Sequence, residues 1–353
     1  MSTRTMCGVV VATAVLALTI GACKKKPKED KAKAGDTMEV MKVASMDAMK
    51  PAPMADAMKP APKADAMKPG MVAKRAVAPG DGFLIKFDRP LKAGLKYRVV
   101  ATGTVDSKTD LNGKPMPAQT FKMAYSYEAV VTVKGVHACG KPTSEELKIV
   151  RLQVTKGGAT KDLFPKDTVV LAETAGSKEK FSVKGNPVEK ETAKVLGYVV
   201  SLYDGDATTT DEVFGPGGPK KPGDTWKPNV GKLLASLKTE LKDPALWPKP
   251  ADVTGKVTFV AAKKVAGMDV FEITARAKLN NIAPKMGPIK AKTGTMEMNI
   301  SGWVPKDPKV IIGEGKTMTM KMHVEGEFTK GGKDFKMVLD YTQTQKGSKT
   351  PVK

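Results

Sequence analysis

From about residue 80 the chain alternates apolar and polar side chains with a period of two. In "LKYRVVAT", Leu95, Tyr97, Val99 and Ala101 fall on one side of a strand, and Lys96, Arg98 and Thr102 on the other. In "FKMAYSYEAVVTV", Phe121, Met123, Tyr125, Tyr127, Ala129, Val131 and Val133 alternate with mostly polar neighbours. Successive strand side chains point to opposite faces, so the pattern predicts long antiparallel strands with one buried and one wet face. "EELKIVRLQV" reads as a further strand whose facing the pattern leaves open. The last third returns to strands in "VTGKVTFVA", "VFEITARAKL", "TMEMNISGWV", "KTMTMKMHVEGEFT" and "KDFKMVLDYTQTQ", with tight hairpins expected at "VAGMD" and "TKGGKD".

Between these two strand-rich regions the period changes. Val195, Val199 and Leu202 recur at helical spacing, which predicts a helix over 188–203 with Asn186 as its cap, Pro187 at its start, Glu189 in its first turn and Gly205 ending it. "GPGGPKKPGD", residues 215–224, reads as a hinge, and Leu233, Leu234, Leu237 and Leu241 in "NVGKLLASLKTEL" predict a second, short helix. The fold class is therefore mainly β: one or more curved antiparallel sheets of long strands, as a half-barrel or two similar β halves, with one or two helices between them. The expected partition is 1–22 signal segment, 23–78 linker, 79–185 first β region, 186–245 helical and hinge segment, 246–345 second β region and 346–353 tail.

One strand carries methionine at every second position. Met318, Met320, Met322, Val324 and Phe328 share a side, and Thr317, Thr319, Lys321, His323, Glu325 and Glu327 share the other. Met296, Met298 and Ile300 in one neighbouring segment, and Phe335, Met337, Leu339 and Tyr341 in another, divide the same way. A soft metal ion held by thioethers would need a further donor, but His323 points away from Met322 and the chain has only two histidines. The row is then either plain core or an adaptable apolar cleft, because methionine fills irregular gaps in both. The cleft reading nominates Met296, Met298, Met318, Met320, Met322 and Phe328 as ligand-lining residues, and no metal.

Ahead of the strands the chain has another character. The run "CGVVVATAVLALTIGAC" carries no charge from Cys7 to Cys23, has the length of a signal core and is short for a spanning helix. Its end, with Ile20, Gly21, Ala22 and Cys23, resembles the lipobox of bacterial lipoproteins; an ordinary secretory signal cut after Ala22 is the alternative. The resemblance implies cleavage before Cys23, a diacylglycerol on its sulfur, acylation of the new amine, and outer-membrane attachment facing the periplasm or the cell surface. "MDAMKPAPMADAMKPAPKADAMKPG" then repeats with a period of nine, too short for a solenoid unit and too rich in proline for helix or central strand. It reads as a disordered, partly polyproline tether. With Cys7 removed and Cys23 lipidated, Cys139 in the turn-like "GVHACGKP" is the remaining thiol, so burial rather than a disulfide must hold the domain.

Charge narrows the partners. The net charge is +22, but only six of the 59 basic residues are arginine. Lysine is a hydrated point charge and a poor bidentate reader, which points to anionic lipid or envelope polymer and away from nucleic acid. The serine-hydrolase, zincin and P-loop signatures are missing, and "DGDATTTDE" at 204–212 lacks EF-hand spacing. No catalytic residue and no cofactor is expected. The helix followed by "PGDTW", Pro222 to Trp226, and antiparallel strands is similar to a group of uncharacterised bacterial lipoproteins. The layout also resembles lipoprotein-carrier clamshells, in which a curved sheet wraps a helical plug around an apolar cavity. Together these lead to an expectation of a membrane-anchored, non-enzymatic envelope lipoprotein that binds or shelters an apolar or amphiphilic small molecule or lipid. The alternative is a structural or cell-wall module that grips an anionic envelope polymer through its lysines.

Overall fold

A computed structural model describes residues 82–352 apart from 176–177, 204–207 and 242. The expected signal segment, Cys23 and the repeat linker lie outside the described residues. The first meander comprises β1 (Lys96–Leu111), β2 (Lys114–Pro115), β3 (Phe121–Val136), β4 (Pro142–Lys156), β5 (Ala159–Asp162), β6 (Val169–Ala175), β7 (Lys178–Val183) and β8 (Asn186–Pro187). Helices α1 (Lys190–Val199), α2 (Thr210–Phe214) and α3 (Val230–Leu241) follow, with β9 (Thr225–Trp226) before the last of them. The second meander is β10 (Val253–Val265), β11 (Met268–Asn280), β12 (Lys290–Pro305), β13 (Glu314–Lys330) and β14 (Lys333–Pro351).

All of these strands form one open antiparallel sheet in the order β8-β7-β6-β4-β3-β1-β14-β13-β12-β11-β10-β9, with β2 on β1 and β5 on β4. The meanders meet where β1 pairs β14, from Tyr97 opposite Pro351 to Leu111 opposite Met337. Both ends of the sheet are blunted by two-residue strands, β8 and β9. Pro187 in β8 has no N–H to offer a further strand, which discourages edge-to-edge association.

The alternation read from the sequence matches burial. Tyr97, Val99, Ala101 and Val105 in β1, and Met123 through Val133 at odd positions in β3, are buried on one face. In β4, Leu147, Ile149 and Leu152 are all buried. A register shift explains that spacing: Glu128 faces Arg151 while Ala129 faces Ile149, so Val150 is a bulge that resets the phase. Both hairpins form as expected, through left-handed Ala266–Gly267 and Gly331–Gly332.

Three sequence expectations need correction. The first helix spans 190–199, not 188–203. Left-handed Lys184 and Gly185 turn the chain so that Asn186 pairs Val183, which takes it away from any cap. The helix ends at Val200, whose backbone is extended, with Val199 and Val200 both β-branched. A further short helix, α2, lies between the two expected helices, where the pattern predicted none. Thr209 accepts the Glu212 N–H and the Glu212 carboxylate accepts the Thr209 N–H, closing a capping box. The expected tail is strand as far as Pro351. Its inward residues are Gly347 and Lys349, so no apolar signal marked it, and backbone pairing to β1 and β13 carries it.

Helix α1 lies on the buried face, here the inner face. Its Tyr198 ring stacks on Tyr125 of β3 at 5.6 Å, and Gln345 of β14 donates to the Tyr198 carbonyl at 3.1 Å. Helix α3, begun by Asn229 accepting the Lys232 N–H, buries the expected Leu233, Leu234, Leu237 and Leu241. Trp226 of "PGDTW" donates its indole N–H to the Phe214 carbonyl and ties β9 to α2.

Candidate functional site

The methionine row is central to the inner face. Met296 faces Met322 and Met298 faces Met320 across β12 and β13, while Met322 faces Tyr341 of β14. Met296, Met298, Met318, Met320 and Met322 are each at most 3% exposed. Phe328 is half-buried near the hairpin, stacked on Phe335 at 5.1 Å. None of these six lines either cleft described next. His323 stays on the outer face, with Nδ1 2.7 Å from Asp340 and Nε2 3.2 Å from Glu325. Asp340 above all, then Glu325, holds its pKa above the ordinary histidine value. Cys139 is exposed, with Sγ 3.1 Å from His137 Nδ1. Among the described residues no group of three or more His, Cys, Asp or Glu is placed to hold a metal ion.

Along β13 and β14 the inner face changes character. Beyond Met318 the same parity brings Lys316 and then Glu314 inward, and on β14 it brings Gln343, Gln345 and Lys349. Lys349 Nζ lies 3.2 Å from Glu314 and 5.4 Å from the centre of the Tyr97 ring. Tyr97 in turn donates its hydroxyl to Glu145 of β4 at 2.5 Å. Glu145 is only 5% exposed, and burial raises its pKa although Tyr97 and Lys349 pull the other way. Burial opposes the charge on Lys349, but Glu314 and Glu145 more than offset it and hold the ammonium above the usual lysine value.

Two clefts open here. The first, about 80 Å³, lies between the β1–β3–β4 end and residues 199–203, and its wall includes Tyr97, Glu145, Arg89 and Lys141. The second, about 90 Å³, is walled by Phe214, Val257, Ile273, Ala275 and Ile300, with Lys316 among its polar residues. Phe87, Glu314 and Lys349 line both. Gly302 and Gly347 flank Lys316 on the neighbouring strands, and both line the second cleft. A Cβ on Gly302 would lie 2.7 Å from the Gly315 carbonyl, so nothing larger fits there.

Phe87 sits on a strap, residues 82–94, that crosses this end of the sheet. Phe87 N–H donates to Asp211 at 2.8 Å, and Asp88 accepts the Asp211 N–H at 2.6 Å and also bonds Lys141. Arg89 donates to the Pro305 carbonyl at 2.8 Å, and Phe83 pairs with Lys220 of the hinge. Sequence reasoning missed the strap, which has no periodic pattern. It also missed Lys316, Glu314 and Lys349, although extending the period-two count one or two steps past Met318 and Gln345 places them inward.

No protein-family model matches the chain, and a search of curated proteins finds no similar sequence. Among solved structures the chain is similar to lipovitellin at 11% identity and a TM-score of 0.27, over 72% of this chain and 25% of that one. It thus spans about a quarter of the lipovitellin chain. It is also similar to the outer membrane protein OprG of Pseudomonas aeruginosa, at 8% identity and a TM-score of 0.15, over 75% of this chain and all of that one, 100%. An outer membrane channel of Pseudomonas putida F1 gives 7% identity and a TM-score of 0.18, over 75% and 100% of the two chains. At these scores none of the three bears on function. No helix of the described residues is long and apolar enough to cross a membrane.

Proposed function

We propose that this protein is a lipid-anchored, non-enzymatic envelope protein that shelters an amphiphilic molecule on the inner face of its sheet. The observation that carries the reading is the second cleft, where apolar walls of Ile273, Ala275, Ile300, Val257 and Phe214 end at the charged group of Lys316, Lys349 and Glu314. An amphiphile matches that order of surfaces, with its chain on the apolar wall and its head at the charges. The proposed site centres on residues other than those nominated from sequence, since none of the six lines either cleft. Lipidation at Cys23 would hold the domain at the membrane, since several acyl chains exceed the two-signal requirement for stable anchoring.

Size sets a condition. Each cleft, at about 80 and 90 Å³, is far smaller than the ~300–1,000 Å³ of a typical small-molecule site. As they stand the clefts admit a head group and a short apolar segment; a whole acyl chain requires Phe87, which lines both, to swing aside and the walls to open further. The direct test titrates the full chain with a fluorescent fatty acid. Saturable binding that Ile300→Asp weakens, with the melting temperature little changed, supports the reading. No saturable binding, together with salt-sensitive retention on purified peptidoglycan, would replace it with the polymer-binding alternative. Incorporation of labelled palmitate that Cys23→Ser abolishes tests the anchor separately.

A further inference from the structure

We propose that the second cleft selects amphiphiles with one anionic head, a carboxylate or a phosphate ester, and that Lys316 receives that head. This rests on the ligand-sheltering reading above and names the chemistry of its ligand. The first ground is charge. Lys349 lies 3.2 Å from Glu314, whereas among the described residues the half-buried Lys316 ammonium makes no direct salt bridge and feels Glu314 only through its field. The walls of the two clefts carry Arg89, Lys141, Lys316 and Lys349 against Glu145 and Glu314, so cations outnumber anions there. An ammonium partly withdrawn from water without a direct hydrogen-bonded anion is unfavourable, and a bound anionic head supplies one.

The second ground is shape. The glycines on either side of Lys316, Gly302 and Gly347, leave the floor beside its side chain free of other side chains. Apolar walls then lead away from that floor, as a head-and-tail ligand requires. A third observation is Arg89, which lines the adjoining first cleft and whose buried Nε finds no acceptor among the described residues. A head group that spans the shared Glu314–Lys349 boundary would supply one.

Burial lowers the Lys316 pKa to about 8, with Glu314 opposing and Lys349 and Lys141 assisting the shift. The preference for acids must then fade as pH rises through about 8, given the charges that act on Lys316: Glu314, Lys349 and Lys141.

The experiment titrates the full chain with a long-chain fatty acid, the monoalkyl phosphate and the alcohol of the same chain length, by displacement of a fluorescent probe. The acid and the phosphate should bind about tenfold or more tighter than the alcohol, the worth of one charge-assisted hydrogen bond. Lys316→Met should bring both down to the affinity of the alcohol while leaving the alcohol unchanged, and Lys316→Arg should keep the preference. Equal binding of acid and alcohol to the unaltered protein overturns the head-group assignment but leaves the sheltering reading standing. Displacement by millimolar inorganic phosphate overturns the amphiphile in favour of a free anion. Binding of none of the three overturns the sheltering reading, and this inference with it.

Discussion

Replacing Met320 by alanine asks whether the methionine face is packed core or the lining of a cleft. Met320 is fully buried and held in register between Met298 on β12 and Gln343 on β14, with Met318 and Met322 on either side along its own strand. The change removes three heavy atoms, worth about 2.4 kcal/mol at ~0.8 kcal/mol per buried methylene. A cavity term adds to this, because hydrogen-bonded strands on both sides prevent collapse into the space. The expected cost is roughly 2–4 kcal/mol, or about 4–7 °C in melting temperature for a domain of this size. Met320→Leu, which conserves volume, should cost less than about 1.5 kcal/mol. Urea unfolding of the full chain, followed by the fluorescence of Trp226, Trp247 and Trp303, measures both, with an unchanged slope showing that the unfolded state is unaltered. Fatty-acid binding by Met320→Ala should match the unaltered protein. A loss below about 1 kcal/mol together with weakened ligand binding would refute the assignment of these thioethers to the core.

Tyr97→Phe removes the hydroxyl that Glu145 accepts, so a buried carboxyl loses its donor at a cost of about 1–3 kcal/mol, measurable by urea titration. Glu145 has a folded-state pKa raised by burial, so the folded protein holds this proton more tightly and stability declines as pH rises above the usual glutamate value; Glu145→Gln should flatten that decline in melts taken from pH 4.5 to 8. His323 has the opposite partner balance on an exposed ring: its contribution is present below the ordinary histidine value and lost as pH rises through its raised one. An NMR titration should find the midpoint above 6.5, and Asp340→Asn should lower it, with little change in stability because solvent screens the pair. Phe87→Ala should join the two clefts and strengthen binding of longer acyl chains more than shorter ones; an unchanged chain-length preference counts against the strap as a gate.

What the sequence determined by itself is which way each strand faces. Side-chain direction alternates with every residue, so Tyr97, Tyr125, Met320 and Leu339 declare their common burial locally, without knowledge of any partner strand. The leucine spacing of α3 and the two glycine-bearing hairpins were legible for the same reason. Pairing was not. Nothing in the pattern of β1 or β14 says that strands from opposite ends of the folded region lie side by side, because backbone hydrogen bonds carry no sequence label. The phase of β4 was unreadable because the bulge at Val150 exists only against its neighbour β3. The clefts belong to the same class. Lys316, Lys349, Glu314 and Glu145 come from three strands, and only the closed register of β1, β14 and β13, with the strap across their end, gathers those charges beside apolar walls.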